Sequence, residues 1–223
     1  MAYELSDMIG MGDTFPETAR TDLKNGFGSA QLFKENIQSF KDAVKDDDGF
    51  IDGDVYQADE IIVDNAEDFG NIATIDYMTG NRDRHDDNFM IDDTFNVYAI
   101  DNGGHPPPKD EAGDDAMFLM YKYIASHIQG ASDSPDEFED SLLEFFEGSR
   151  ESALDNVESI VENKEEILTM AESFYGPTSK PTRRFRNMLE ETEDGKLSIE
   201  ESLETDIEQL EHEILNMNRD ALP

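Results

Sequence analysis

The sequence predicts a mostly α-helical protein of the α+β class, with one short β-hairpin near its centre. Long segments place apolar residues at three- and four-residue steps, which is typical of amphipathic helices. A short apolar run at 96–100 follows closely after another at 89–91, and this pattern favours two antiparallel strands. The length fits one domain, or one domain with an appendage.

The first predicted helix covers residues 30–45, where apolar side chains recur near helical spacing. An acidic turn follows at 46–54. A longer predicted helix, 57–79, leads into the polar segment at the centre of the chain. The apolar positions of the first helix are Leu32, Phe33, Ile37, Phe40 and Val44.

Three further helices are predicted over 113–129, 136–148 and 150–175. The second one has a start signal in the segment 134–137, Ser-Pro-Asp-Glu. This is a capping box with proline at the first helical position, so we expect the helix to begin there.

The last part of the chain, from about residue 180, predicts two helices around an acidic turn at 193–196. Ser198 and Glu201 have the spacing of a second capping box. The last helix carries an apolar stripe that has to bury against the rest of the chain or against another subunit. The stripe consists of Ile199, Leu203, Ile207, Leu210, Ile214 and Met217.

The charge balance is extreme, with 54 Asp and Glu against 17 Lys and Arg and a formal net charge of −37. The acids are interspersed with apolar residues, which indicates a folded protein with an acidic surface instead of a disordered chain. Molar salt screens such repulsion to a Debye length of about 3 Å, so the composition favours an extreme halophile or its virus. We therefore expect the protein in the cytoplasm of a high-salt cell or in the virion of a halophilic host.

The composition also excludes several classes of protein. There are no cysteines, which excludes disulfides and thiolate metal sites. No apolar run approaches the roughly 20 residues of a membrane span, so no membrane insertion is expected. General nucleic-acid binding is not expected either, because phosphate contacts need Lys and Arg. The one basic cluster, residues 180–186, is assigned to structural ion pairs or, as the alternative, to a phosphate or an acidic partner.

The polar segment at the centre of the chain carries the chemistry. Asn88 follows Asp83 by five residues, and Asp101, in an Asp-x-Gly, follows Asn88 by thirteen. In phosphoryl transfer one Asp accepts or orients the proton of the attacking hydroxyl, while an Asn and a second Asp hold Mg²⁺. The spacing therefore makes Asp83 the candidate catalytic base and makes Asn88 and Asp101 candidate metal ligands.

The segment 80–90 resembles the catalytic loop of the phosphatidylinositol-kinase-like and HipA-like branches of the kinase fold, which carry Asp-Arg-His-x-x-Asn. The run Ile-Asp-Asn-Gly at 100–103 is similar to their metal-binding Asp-x-Gly, and the resemblance covers roughly residues 70–105. It implies a kinase-like large lobe with Mg²⁺ and ATP as cofactors. For His85 it implies a role in bracing the loop, with acid–base chemistry as the alternative.

On this interpretation the chain has an N-terminal segment at 1–56, a kinase-like large lobe at 57–176 and a C-terminal helical hairpin or tail at 177–223. No clear small lobe (N-lobe) is predicted. The glycine clusters at 10–12 and 26–28 do not complete the G-x-G-x-x-G pattern that covers the phosphates of ATP in kinases.

Two lysines of the N-terminal segment, Lys24 and Lys34, are the candidates for contacting the nucleotide phosphates, although nothing around them singles either one out. The loop at 105–108, His-Pro-Pro-Pro, stands where a kinase would have its activation segment. That segment is short, so a docking platform for a peptide substrate is poorly developed.

An acidic loop at 190–201 partly matches the frame of a calcium-binding EF-hand, with Gly195 sixth and Glu201 twelfth. Its first and third positions, Glu190 and Thr192, depart from the motif. Calcium binding and a solvated turn both stay open.

Two functions follow from the sequence. The first is an atypical kinase-like phosphotransferase that depends on Mg²⁺ and ATP. The second is a non-catalytic structural or interaction protein, a pseudokinase in a large assembly such as a haloarchaeal virus particle. Both imply other protein chains as partners, as a complementing lobe in the first case and as assembly subunits in the second.

Overall fold

The computed structural model describes residues 1–23, 26–32, 36–40, 58–81, 84–102, 114–192 and 195–217. These residues are mostly helical and include two small antiparallel sheets, which confirms the predicted mostly α, α+β class. The helices in the described residues are α1 (Ala2–Met8), α2 (Ala58–Asp64), α3 (Ala66–Thr79), α4 (Asp114–Ala131), α5 (Pro135–Glu162), α6 (Lys164–Tyr175), α7 (Lys180–Met188) and α8 (Ser198–Asn216). The strands are β1 (Thr18–Leu23), β2 (Gly26–Gln31), β3 (Ile37–Ser39), β4 (Phe89–Asp92) and β5 (Val97–Ala99).

Two sheets are formed by these strands. β1 and β2 pair as an antiparallel hairpin, and β4 lies between β3 and β5 in a three-stranded antiparallel sheet. The predicted central hairpin is therefore confirmed as β4–β5, with Phe89 opposite Ala99 and Ile91 opposite Val97. The main-chain amide of Ala99 also donates to the carbonyl of Thr14, 2.9 Å away, which holds the N-terminal segment against β5.

The predicted helix over residues 30–45 is wrong at residues 30–32 and 36–39. Residues 26–31 form β2, and β3 pairs with β4 so that Ile37 lies opposite Asp92 and Ser39 opposite Met90. Pairing with β4 supplies the main-chain hydrogen bonds that a helix would have made internally, so tertiary context decides against the helical spacing. Residues 41–45 and the acidic turn at 46–54 lie outside the described residues.

The core centres on the packing of α3 against α5. Gly70 of α3 comes so close to α5 that a Cβ built on it would lie 2.4 Å from the carbonyl oxygen of Ser149. The lack of a side chain at Gly70 therefore sets how closely the two helices approach. Buried aromatic rings in edge-to-face contact fill the space between these helices and the three-stranded sheet, among them Phe40, Phe69, Phe89 and Phe145.

Two helix boundaries differ from the prediction. The predicted helix 57–79 is interrupted at Asn65, whose side-chain amide donates to the carbonyl of Ile61 at 2.8 Å. The predicted helices 136–148 and 150–175 are instead α5, which continues past Arg150 to Glu162, and α6. Gly148 lies inside α5 and does not end a helix. It is a packing position, where a Cβ would lie only 2.9 Å from the Cβ of Ala66.

The capping-box predictions have different outcomes. Ser134 caps α5, since its hydroxyl accepts a hydrogen bond from the amide of Glu137 at 3.2 Å. The box of Ser198 and Glu201 is wrong. Leu197 is the N-cap of α8 and is held in extended conformation by its bridge to Glu191, while the Glu201 carboxylate accepts from the Thr192 hydroxyl.

The apolar stripe of α8 is buried within the chain, against α5 and α4. Its buried members are Ile199, Leu203, Ile207, Leu210 and Ile214. Arg150 of α5 reinforces the contact through ion pairs with Glu208 and Glu211 at 3.4 and 3.9 Å. Of the two coverings predicted for the stripe, the rest of the chain is therefore the one found. Among the described helices none combines the length and apolar character needed to cross a membrane.

Candidate functional site

The site begins at the C-terminal end of α3. Gly80 ends this helix in a left-handed conformation, with φ of 70°, and its amide donates to the carbonyl of Asp76. Asn81 then turns back, because its main-chain amide bonds the same carbonyl and its side-chain amide donates to the Asp76 carboxylate at 2.9 Å. The Asp76 side chain is only 2 % exposed, so α3 ends on a buried carboxylate.

Arg84 is the counter-charge of that carboxylate and is itself fully buried. Its Nε and one Nη bond the two carboxylate oxygens of Asp76 at 2.7 and 2.8 Å, a bidentate pair. The other Nη donates to the main-chain carbonyls of Asn88 at 3.1 Å and of Ile100 at 2.6 Å. The fifth N–H donates to the side-chain oxygen of Asn102. The guanidinium group also lies over the ring of Phe89, 5.6 Å from its centre.

The two predicted metal ligands lie at the end of the β4–β5 hairpin. Ile100 donates its amide to the carbonyl of Asn88 at 3.0 Å, which extends the strand pairing by one step beyond Phe89 and Ala99. Asn88 is buried and Asp101 is exposed. The β4–β5 pairing therefore brings the main chains of these two regions together.

Asp101 has an unusual backbone conformation, with φ of +49°. Left-handed conformations are uncommon outside glycine and cost free energy, so they persist where the surroundings impose them, often at functional sites. Here Ile100 and Asn102, on either side of Asp101, are both bonded to Arg84. Asn102 also donates to the carbonyl of Ala99 at 3.1 Å.

The remaining predicted site residues have different outcomes. His85 is partly exposed, and its Nδ1 accepts from the main-chain amide of Asp87 at 3.3 Å, which caps the 3-10 turn Asp86–Asn88. This contact fits the bracing role. Asp83, Lys24 and Lys34, together with the loop at 105–108, lie outside the described residues.

Asp92 fixes the opposite end of the hairpin. Its carboxylate accepts hydrogen bonds from both the amide and the hydroxyl of Thr94, from the amide and the side chain of Asn96, and from the hydroxyl of Tyr98 at 2.6 Å. Burial acts to raise the pKa of Asp92, but these bonds together hold it well below its usual range. Burial, with the Asp92 carboxylate as the next cause, raises the pKa of Tyr98 to about 12.

We expect Asp92→Asn to lower the free energy of unfolding by about 1–2 kcal/mol at neutral pH, because hydrogen bonds to a charged acceptor are lost. The folded-state pKa of Asp92 is depressed, so its contribution is complete above the unfolded value of about 4 and declines as the pH falls below it. Urea unfolding of both proteins between pH 7 and pH 3 measures the difference, which should shrink in acid. Asp93→Asn, at the exposed neighbour, is the control with little effect at any pH. A difference that stayed constant down to pH 3 would contradict this account.

The basic cluster 180–186 makes structural contacts in two places. Arg184 donates to the carbonyl of Tyr77 near the end of α3 and lies over the Tyr77 ring, and Arg186 pairs with Glu172.

In the loop 190–201, Glu201, the expected twelfth ligand of a calcium site, is bonded to the hydroxyl of Thr192 at 2.8 Å. Within the described part of the chain no group of three or more His, Asp or Glu is placed to hold a metal ion.

Sequence reasoning gave no role to three residues that a buried hydrogen-bond network joins: Asp76, Arg84 and Asn102. Asp76 did carry a signal, because an acid among Ile75, Tyr77 and Met78 near the C-terminal end of a helix is opposed both by burial and by the helix dipole. Such a residue needs a buried cation. Arg84, within the motif itself, supplies it.

The donor set at the end of the hairpin fits a hard divalent cation. An amide oxygen and a carboxylate are ligands that Mg²⁺ accepts, and Mg²⁺ commonly takes only one or two protein ligands, with water and phosphate oxygens filling the rest. A scan against the models of known protein families and a search of curated proteins found no match to this chain.

Proposed function

We propose that the protein is a phosphotransferase of the atypical kinase type, which uses Mg²⁺ and ATP. One observation carries the proposal: the hydrogen bond from Ile100 to Asn88 brings the Asp101 segment beside the Asn88 segment, with Asp101 in a left-handed backbone conformation and open to solvent. Two oxygen ligands from neighbouring segments, one of them exposed, are what a metal bridging protein and phosphate needs.

Each residue has a distinct role in this proposal. Asn88 and Asp101 hold the metal, which when bound neutralises charge on the phosphates. Asp83 orients the attacking hydroxyl and takes its proton, a role that rests on the sequence spacing alone. His85 holds the turn at 86–88 and thereby the main chain of Asn88.

A cover for the nucleotide would come from the N-terminal strands. Lys24 separates β1 from β2 in the sequence, and Lys34 separates β2 from β3. Because β3 pairs directly with β4, this part of the chain is joined to the same sheet that carries the candidate metal ligands. Either lysine is a candidate to contact a phosphate group of ATP.

The test is ATP binding in molar KCl, measured by calorimetry with and without Mg²⁺. We expect the wild-type protein to bind ATP at or below millimolar concentration only when Mg²⁺ is present, and Asp101→Ala to abolish this Mg²⁺-dependent binding. Asp93→Ala is the matched control, since Asp93 is an exposed Asp in the turn at the other end of the same hairpin. A wild-type protein that does not bind millimolar ATP would overturn the proposal.

The other candidate function is a non-catalytic component of a large assembly. An unburied apolar stripe on α8 would favour it, because a partner subunit could cover such a stripe, but the stripe is covered within the chain. This candidate predicts no nucleotide binding, so the same calorimetry decides between the two functions.

A further inference from the structure

We infer that Arg84 is the positioning residue of this site, and that its guanidinium group sets the placement of both metal ligands. The inference rests on the proposed function, since it concerns the same pair of ligands. It assigns to Arg84 no contact with substrate or metal.

The hydrogen bonds of Arg84 connect α3 to both ligand-bearing segments. A guanidinium group has five N–H donors in a rigid plane, and all five are used. Two hold Asp76, which anchors the group to α3. The other three reach the two segments that carry the ligands.

These three bonds are made to the first candidate ligand and to the two neighbours of the second, so they constrain the main chain of both. One bonds the carbonyl of Asn88 itself. The other two bond Ile100 and Asn102, the residues immediately before and after Asp101. One buried cation therefore fixes the main chain of the first ligand and brackets the second, so that the left-handed backbone of Asp101 lies between two anchored neighbours.

Burial makes this arrangement specific to arginine. Arg84 has no exposed surface, so water cannot replace a lost donor. A lysine at this position keeps the charge but has only three donors on a single nitrogen, which cannot reach Asp76, both carbonyls and Asn102 together. Arg84→Lys should therefore keep the ion pair with Asp76 and loosen the ligand-bearing segments.

The experiment compares Arg84→Lys with the wild-type protein in molar KCl by two measurements. The first is the Mg²⁺ concentration that gives half-maximal ATP binding, which we expect to rise about 10–100-fold, as for other groups that orient metal ligands. The second is hydrogen exchange at the Ile100 amide, which we expect to accelerate more than exchange at the amides of α8. Arg150→Lys, at the surface pair with Glu208, is the control that should leave both values unchanged.

Asn102→Ala is a second variant, for the case in which Arg84→Lys does not fold. It removes one of the three bonds to the ligand segments and leaves the buried ion pair intact. We expect a smaller rise in the Mg²⁺ requirement and faster exchange at Ile100.

The outcomes separate this inference from the proposed function. If the wild-type protein binds ATP with Mg²⁺ and a folded Arg84→Lys or Asn102→Ala variant has the same Mg²⁺ requirement, the inference is overturned and the function stands. If the wild-type protein does not bind ATP, the function is overturned. The placement by Arg84 is then judged by exchange alone: acceleration confined to Ile100 and its neighbours supports it, and unchanged exchange overturns it.

Discussion

Replacing Asp76 by Asn should lower the free energy of unfolding by about 3–5 kcal/mol. The substitution keeps the shape of the side chain but leaves the Arg84 guanidinium buried without a counter-charge, at a position where neither side chain is more than 2 % exposed. It also places a donor where the carboxylate accepted from Asn81 and twice from Arg84. Urea unfolding in molar KCl, extrapolated to zero urea, measures the loss.

Glu172→Gln is the matched control for Asp76→Asn. Glu172 also pairs with an arginine, Arg186, but both side chains are about two-fifths exposed. Because exposed ion pairs contribute little, this change should lower the free energy of unfolding by less than about 1 kcal/mol. Equal effects of the two substitutions would contradict the role given to burial.

A double variant separates the net contribution of the Asp76–Arg84 ion pair to the free energy of unfolding from the cost of leaving one of its charges buried alone. Asp76→Leu combined with Arg84→Met replaces both charges by apolar side chains of similar size, and such replacements are often neutral. We expect the double variant to be more stable than Asp76→Asn, although it loses every bond from Arg84 to the ligand segments. The double variant should therefore regain stability relative to Asp76→Asn without regaining Mg²⁺-dependent ATP binding. That result would indicate that the ion pair is retained because it places the metal ligands.

Elements with a strong local signal could be predicted from the sequence. The hairpin β4–β5 follows from two short apolar runs, and the start of α5 follows from Ser134 and Glu137. The same hairpin places Asn88 opposite Ile100, one residue before Asp101, because strand pairing makes residues equally distant from the turn lie opposite each other. In each case the information lies within about 20 residues of sequence.

Features that depend on distant partners could not be predicted. The stretch 30–45 has apolar residues near helical spacing, but β3 is a strand because β4, some fifty residues later, offers it hydrogen-bonding groups. Gly148 looks like a break between two helices and is a packing position against Ala66. The role of Arg84 needs the end of α3, the start of β4 and the end of β5 together.

Removing salt should unfold the protein. Between about 1 M and 0.01 M salt the Debye length grows from about 3 to 30 Å. A folded chain of 223 residues has a radius of gyration of about 17 Å, so at low salt each of the 54 acidic groups is repelled by most of the others. With a net charge of −37 we expect this repulsion to exceed the stability of about 5–15 kcal/mol that is usual for a domain. Far-UV circular dichroism at 25 °C during dilution of KCl should show a cooperative loss of helix.

Removing acidic charge from one face should make the protein less dependent on salt, if screening is the cause. Glu144, Glu147 and Glu151 are exposed on α5 at three- and four-residue steps, where like charges repel. Their replacement by Gln keeps the helix and removes three negative charges, so the KCl concentration at the unfolding midpoint should fall. Replacing the same residues by Asp keeps the charge and should not lower that midpoint. An unchanged midpoint in the Gln variant would contradict repulsion as the cause of the salt requirement. The requirement would then be assigned to hydration of the protein surface, whose effect continues to grow with salt after screening is complete.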